Sequence, residues 1–250
     1  MIAYLWLVFA GLVAGYVNAM AGAGSLLTLP ALIFSGLDAN AANATNRIAV
    51  LFQTMATSYT YRRAGVTLKT RDLWVCLPAA AGAGLGAYAA TLLSPAQMQL
   101  SIALVMAAML PLVWMPKGTR VSALRSGHID FSWGGSLVFV GIGFYIGFIQ
   151  AAAGILILLY LGIVRGVSLV YSNALKVVMS MLLTVIALGV FSLTNMTLDL
   201  TRGLLLAASS AAGGVIGARM AVSRGEGLIR TVLTLTIIAS ATKLALDALY

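Results

Sequence analysis

Residues 19–30, AMAGAGSLLTLP, interrupt an uncharged stretch that runs from Ile2 to Leu37. A helix rises about 1.5 Å per residue, so this stretch would reach about 50 Å, whereas the hydrocarbon core of a bilayer is about 30 Å thick. A second uncharged stretch, Phe131 to Val164, is interrupted at Gln150-Ala-Ala-Ala-Gly154. Each stretch therefore predicts a re-entrant hairpin of two helices, broken near its middle by small residues.

The composition predicts a membrane protein. Of the 250 residues, 61% are hydrophobic and 8% are charged, and the mean hydropathy is +1.02. Soluble domains contain about 25% charged residues. We therefore expect an all-α polytopic membrane protein whose main surroundings are the lipid bilayer. The net charge of +9 arises from basic residues between apolar segments, which favours a role in membrane orientation, and we expect no nucleic-acid partner.

The chain shows a weak internal repeat. A shift of 130 residues aligns Gly11 with Gly141, Gly24 with Gly154, Gly36 with Gly166 and Asn43 with Asn173, and a one-residue gap then aligns Gly82 and Gly86 with Gly213 and Gly217. Each half is expected to contain one broken hairpin and three crossing helices. These crossing helices are predicted at 39–61, 73–93 and 96–115, and at 177–198, 202–222 and 226–248.

Three crossings per half predict that the second half enters the membrane from the opposite side. The predicted architecture is therefore two inverted-topology repeats, at residues 1–116 and 131–250, joined by a basic linker at 117–130. Lys and Arg collect in cytoplasmic loops, and eleven of the fifteen basic residues fall on one predicted side. They are Arg62, Arg63, Lys69, Arg71, Lys117, Arg120, Arg125, Arg165, Arg219, Arg224 and Arg230. The linker is thus predicted to be cytoplasmic and both termini are predicted to lie outside.

The hairpin breaks are the first candidate binding site. Small residues there let the backbone turn and expose N–H groups, and the returning helix directs its positive dipole end inward. Two such breaks facing each other would form an anion site. The candidate residues are Gly22, Gly24, Ser25, Gln150 and Gly154. Close helix packing by small residues is the alternative explanation, and the sequence leaves it open.

The helix after each hairpin begins with polar residues that lipid would disfavour. Asn43, Asn46 and Arg47 lie within about one helical turn, as do Asn173 and Lys176, so each group can face one direction. A charge inside a spanning helix costs at least about 2.5 kcal/mol and marks a candidate functional site. An anionic substrate would neutralise the two cations. The alternative is that both side chains snorkel to the membrane surface.

The chemistry of an enzyme is not visible in this sequence. All six acidic residues fall at or near predicted helix ends, and the chain has one Cys and one His. We expect no catalytic residue, no metal site and no cofactor. A carrier of another small solute, such as a carboxylate or an amino acid, and an accessory membrane subunit remain alternatives. The sequence is compatible with a homo-oligomer.

The chain resembles the TauE/SafE family of sulfite and organosulfonate exporters. The resemblance rests on GAGSLLTLPAL at residues 22–32, on ANATN at residues 42–46 and on its second-half counterpart SNALK at residues 172–176. It implies a multi-pass transporter of the bacterial inner membrane that exports a small anion, such as sulfite or sulfoacetate. The long glycine run usual in the family is reduced here to Gly22 and Gly24.

Overall fold

The computed structural model describes residues 2–114 and 133–220, which form an all-α membrane protein. The linker predicted at 117–130 and the crossing helix predicted at 226–248 lie outside the described residues. Five described helical segments are long and apolar enough to cross a membrane. They are Tyr4–Ala21, Thr70–Thr91, Pro95–Leu112, Val170–Leu193 and Leu200–Met220. The predicted fold class of a polytopic all-α membrane protein is confirmed.

The described residues form nine α-helices, five in the first half and four in the second. In the first half they are α1 (Ile2–Ala21), α2 (Ser25–Phe34), α3 (Ala39–Arg63), α4 (Cys76–Thr91), which follows a 3₁₀ turn at Thr70–Val75, and α5 (Pro95–Trp114). In the second half they are α6 (Trp133–Phe148), α7 (Ala153–Leu159), which continues into a π-helical segment at Tyr160–Val164, α8 (Leu169–Leu193) and α9 (Leu200–Met220). Helices α1 and α2 form the first broken hairpin, and α6 and α7 form the second.

Short polar side chains fix where the long helices begin. Asp38 accepts a hydrogen bond of 2.9 Å from the backbone N–H of Ala41 at the start of α3. Ser168 accepts one from the N–H of Tyr171 at the start of α8. Such caps satisfy backbone donors that the first helical turn leaves unpaired.

The predicted crossing helix at 177–198 is shifted in the structure. Helix α8 begins at Leu169, eight residues earlier, and its polar residues Ser172, Asn173 and Lys176 are buried within the protein rather than exposed to lipid. It ends at Leu193, and Asn195 follows with φ of 54°, a left-handed conformation that ends helices.

The first hairpin helix of each half packs against a helix of the other half. Helix α1 of the first half packs against α9 of the second, and α6 of the second packs against α4 of the first. Glycines allow close contact at both interfaces: Gly15 lies against the backbone of Ser210, and Gly143 lies against the backbone of Ala79. Helices α3 and α8 contact each other between these pairs. The hairpin of each half is therefore held by a helix of the other half.

Candidate functional site

The breaks of the two hairpins touch each other. Gly22 follows α1 with φ of +74°, which side chains rarely adopt. A Cβ added to Gly22 would lie 2.5 Å from the Cα and carbonyl carbon of Gly154, and one added to Gly154 would lie 2.8 Å from the carbonyl oxygen of Gly22. Real Cβ atoms do not approach other atoms this closely, so both positions require glycine. The contact brings together two of the predicted site residues.

The second break uses side-chain-bearing residues to make its turn. Gln150 has φ of 64° and Ala152 has φ of 55°. Residues other than glycine in this region store backbone strain, which persists only where the surrounding structure enforces it. Here the enforcement includes the side chain of Gln150, whose amide group donates to the hydroxyl of Thr184 at 2.9 Å.

Arg47 is fully buried on α3 and binds the second hairpin. Its guanidinium donates to the carbonyl oxygens of Ile146 and Gly147, the latter at 2.8 Å, and to Oε1 of Gln150 at 2.7 Å. These carbonyls belong to the last turn of α6, where the helix dipole is negative. The side chain of Asn43 supports the same region by donating to the carbonyl oxygen of Phe148 at 2.8 Å.

Lys176 on α8 is one residue before the position that the shift of 130 aligns with Arg47, and it binds the first hairpin. Its ammonium group donates to the carbonyl oxygen of Asn18 at 2.9 Å, to that of Ala19 at 3.5 Å and to Oδ1 of Asn173 at 2.7 Å. The carbonyls belong to the last turn of α1. Lys176 is 2% exposed and Arg47 is 0% exposed. Neither side chain snorkels to the membrane surface.

The hairpin carbonyls that the two cations bind lie 128 residues apart in the sequence. Lys176 binds the carbonyls of residues 18 and 19, and Arg47 binds those of residues 146 and 147. The ungapped shift of 130 from the sequence is thus two residues off in this region. The physical reason lies in the return segment: Ser25–Phe34 contains 10 residues, whereas Ala153–Leu159 and the π-helical Tyr160–Val164 contain 7 and 5. A π-helical segment accommodates extra residues without breaking the helix.

The remaining predicted residues form a polar cluster in the first half. Asn46 is fully buried, accepts a hydrogen bond of 2.6 Å from the hydroxyl of Thr28 and donates to Oγ of Ser25 at 3.3 Å. Gly24 lies against α1, where a Cβ would be 2.7 Å from Cβ of Asn18. Close packing at the first break is therefore observed.

Residues 7–244 match the sequence profile of the family described as "Sulfite exporter TauE/SafE". The chain belongs to the TauE/SafE family. The resemblance inferred from the hairpin motifs is thereby confirmed.

Relatives of this TauE/SafE chain are named as probable membrane transporters. A "Probable membrane transporter protein ORF9" of Sinorhizobium sp. is 26% identical over 97% of this chain and 92% of its own length. A "Probable membrane transporter protein" of Haemophilus influenzae is 28% identical over 95% and 92%. The "Probable membrane transporter protein YfcA" of Escherichia coli K12 is 28% identical over 97% and 89%. No solved structure matches the chain.

Several residues that shape this TauE/SafE site were missed by the sequence reasoning. Backbone carbonyls of α1 and α6 hold the two cations, and backbone groups carry no sequence signal. Asn18 is an isolated amide in the apolar helix α1, and that isolation is a signal that could have found it. Thr28 and Ser210 share their helices with Ser25 and Ser209 and carry no such signal. Within residues 2–114 and 133–220, no group of three or more His, Cys, Asp or Glu side chains could hold a metal ion.

Proposed function

We propose that this chain is a secondary transporter that exports a small anion across the bacterial inner membrane by alternating access. The favoured substrates are sulfite and organosulfonates such as sulfoacetate. The observation that carries the proposal is the contact between the two hairpin breaks at Gly22 and Gly154, with one buried cation bound to each hairpin. Broken helices that meet inside a membrane protein are typical of transporter binding sites.

The charge of Arg47 favours an anion. No described carboxylate forms an ion pair with Arg47, and its Nε–H is buried without a hydrogen-bond partner. The carbonyls it contacts carry only partial charges, so a full negative charge nearby would stabilise the guanidinium further. The described acidic residues Asp38, Asp72 and Asp199 all lie at helix starts rather than at the hairpin breaks.

The proposed site lies around the contact of the two breaks. Arg47 and Lys176 would offset the charge of the anion, and amide and hydroxyl groups around them would bind its oxygens. These groups belong to Ser25, Asn43, Asn46, Gln150 and Asn173, and Gly22, Gly24 and Gly154 let the two breaks and α1 pack closely beside the anion.

The crossed attachment of the cations supports alternating access. Arg47 stands in the first half and binds the hairpin of the second, whereas Lys176 stands in the second half and binds the hairpin of the first. Rocking of one half against the other would therefore change the surroundings of both cations together. With both termini outside, as the charge pattern predicts, an inside-negative potential favours anion export by about 2.3 kcal/mol per charge at 100 mV.

The family description and the names of the relatives favour transport over catalysis. The family is described as sulfite exporters, and the relatives are named as membrane transporters without a substrate. We accordingly assign the chain no enzymatic activity. Carboxylates and amino acids are the alternative substrates, and a role as an accessory subunit predicts that the purified chain alone moves no solute.

Flux measurements on variants in proteoliposomes test the proposed site. Arg47→Met and Lys176→Met remove one buried charge each while keeping side-chain bulk, and Arg63→Met removes an exposed charge from the same helix as Arg47. We expect sulfite or sulfoacetate flux to be lost in the first two variants and retained in the third. Normal flux in both Arg47→Met and Lys176→Met would show that the site is placed wrongly. The amount of folded, monodisperse protein after purification is the control for each variant.

A further inference from the structure

A narrow polar cleft lies in the first half beside the contact of the two breaks. It is lined by α1, α2, α3 and α9, and its cavity volume of about 10 Å³ leaves room for about one water-sized group. The polar residues that line it are Asn18, Ser25, Thr28, Asn46, Gln53 and Ser210.

The two amide oxygens of this cleft each accept a hydrogen bond. Oδ1 of Asn46 accepts a hydrogen bond of 2.6 Å from the hydroxyl of Thr28. Oε1 of Gln53 accepts one of 2.6 Å from the amide group of Asn18. A cation that used these oxygens as ligands would compete with the donors that already bind them.

Two hydroxyl donors of the cleft are available. The hydroxyl of Ser210 is buried, 4% exposed, and has no hydrogen-bond partner. The hydroxyl of Ser25 accepts from Asn46 at 3.3 Å, and no described contact uses its hydrogen. Helix α2 begins at Ser25 without a side-chain cap, so the positive end of its dipole lies at the cleft. An unpaired buried hydroxyl is unfavourable, and an acceptor in the cleft would remove that cost.

Most of the equivalent region of the second half is apolar, although the shift of 130 places Lys176 at the position of Asn46. With the shift of 128 in the hairpin, Asn18 and Ser25 correspond to Ile146 and Ala153, and Ser210 corresponds to Ala79 across the one-residue gap. These last three residues belong to one buried hydrophobic cluster. The two serine hydroxyls of the cleft therefore have no counterpart at the equivalent positions of the second half.

We propose that this cleft is a subsite for one terminal oxygen of an oxyanion, which Ser210 and Ser25 bind through their hydroxyl groups. The ligand class is a small sulfur oxyanion, sulfonate or carboxylate, because each carries a charged oxygen that accepts hydrogen bonds from neutral donors. The inference rests on the proposed anion transport and places the bound anion off centre, toward the first half. Ser210 is then a specificity-determining residue that the sequence did not reveal.

The test compares two adjacent serines on α9. Ser210→Ala removes the unpaired donor, whereas Ser209→Ala removes a hydroxyl that bonds only within its own helix, to the carbonyl oxygens of Leu205 and Leu206 at 3.1 Å each. Flux of sulfite and sulfoacetate into proteoliposomes is measured over a range of concentrations. We expect Ser210→Ala to raise the half-saturating concentration about tenfold or more, as for loss of a hydrogen bond to a charged group, and Ser209→Ala to leave it within about twofold. Ser210→Cys, which keeps a weak donor, is expected to lie between them.

The outcomes separate this inference from the proposed function. Equal half-saturating concentrations in Ser210→Ala and Ser209→Ala, with normal flux in both, would overturn the subsite. The cleft would then hold a structural water, and the proposed anion transport would be unaffected. Absence of flux in the unaltered protein would overturn both. Isothermal titration of sulfoacetate into purified protein in nanodiscs provides a second readout, because a merely structural role of Ser210 would not change its binding constant.

Discussion

Alanine substitutions at three glycines measure the contact of the hairpin breaks. Gly166→Ala introduces a side chain at φ of +66° with no atom within 4 Å, so it reports backbone strain alone. Gly154→Ala introduces steric overlap with Gly22 at an ordinary φ, and Gly22→Ala introduces both strain and overlap. We expect Gly22→Ala to destabilise the protein most, because it combines the backbone strain of Gly166→Ala with the steric overlap of Gly154→Ala.

The magnitudes follow from these two contributions. A left-handed conformation costs an alanine about 1 to 2 kcal/mol, and overpacking costs about 1 to 3 kcal/mol. Gly22→Ala should therefore lose about 2 to 5 kcal/mol. At about 2 to 4 °C per kcal/mol for a chain of this size, Tm should fall by roughly 4 to 20 °C.

Thermal unfolding in detergent, followed by intrinsic tryptophan fluorescence, is the assay. The double variant Gly22→Ala/Gly154→Ala should lose less than the sum of the single variants, since the first substitution already separates the breaks. If Gly154→Ala unfolded like the unaltered protein and Gly22→Ala lost no more than Gly166→Ala, the two breaks would not be in contact and the reasoning would be refuted.

Two further predictions concern a buried hydrogen bond beside the first break and a carboxylate at the start of α9. Thr28→Val leaves the buried Oδ1 of Asn46 without its donor and should lower the free energy of unfolding by about 1 to 3 kcal/mol. Thr60→Val removes a hydrogen bond within its own helix and should lower it less. Equal losses in the two variants would contradict this prediction. The backbone N–H and guanidinium of Arg202 hold the pKa of Asp199 below its ordinary value, so this carboxylate contributes stability above about pH 4 that is lost as the pH falls through its folded-state pKa. Asp199→Asn should flatten the acid limb of a plot of Tm against pH, and an unchanged acid limb would assign that loss to other groups.

The broken hairpins could be predicted because each uncharged stretch is too long for a single crossing of the bilayer. An uncharged stretch of about 35 residues cannot cross a bilayer once, so it must turn back, and small residues mark the turn. The spacing of Asn43 and Arg47 placed both on one helical face, and the structure joins them by a hydrogen bond of 3.4 Å. The length, hydropathy and residue spacing of single segments were therefore enough to predict the hairpins and the shared face of Asn43 and Arg47.

Contacts between the halves could not be predicted from residue type. The partners of Arg47 and Lys176 are largely backbone carbonyls, which every residue possesses. The predicted crossing segment began at residue 177 because Lys176 ends the uncharged run, whereas α8 itself begins at Leu169 and includes the polar residues before it. The two-residue offset between the hairpins arises in the π-helical segment, whose composition is that of any apolar helix.

The proposed anion transport is tested by measuring anion flux through the purified chain under a membrane potential of either sign. Proteoliposomes are loaded with radiolabelled sulfite or sulfoacetate, and efflux is followed with and without an imposed pH gradient. We expect protein-dependent flux that an imposed potential accelerates in the direction that moves negative charge toward the positive side, with a bias of up to about 50-fold per charge at 100 mV. Absence of flux of both anions under every gradient would show that this chain does not transport them.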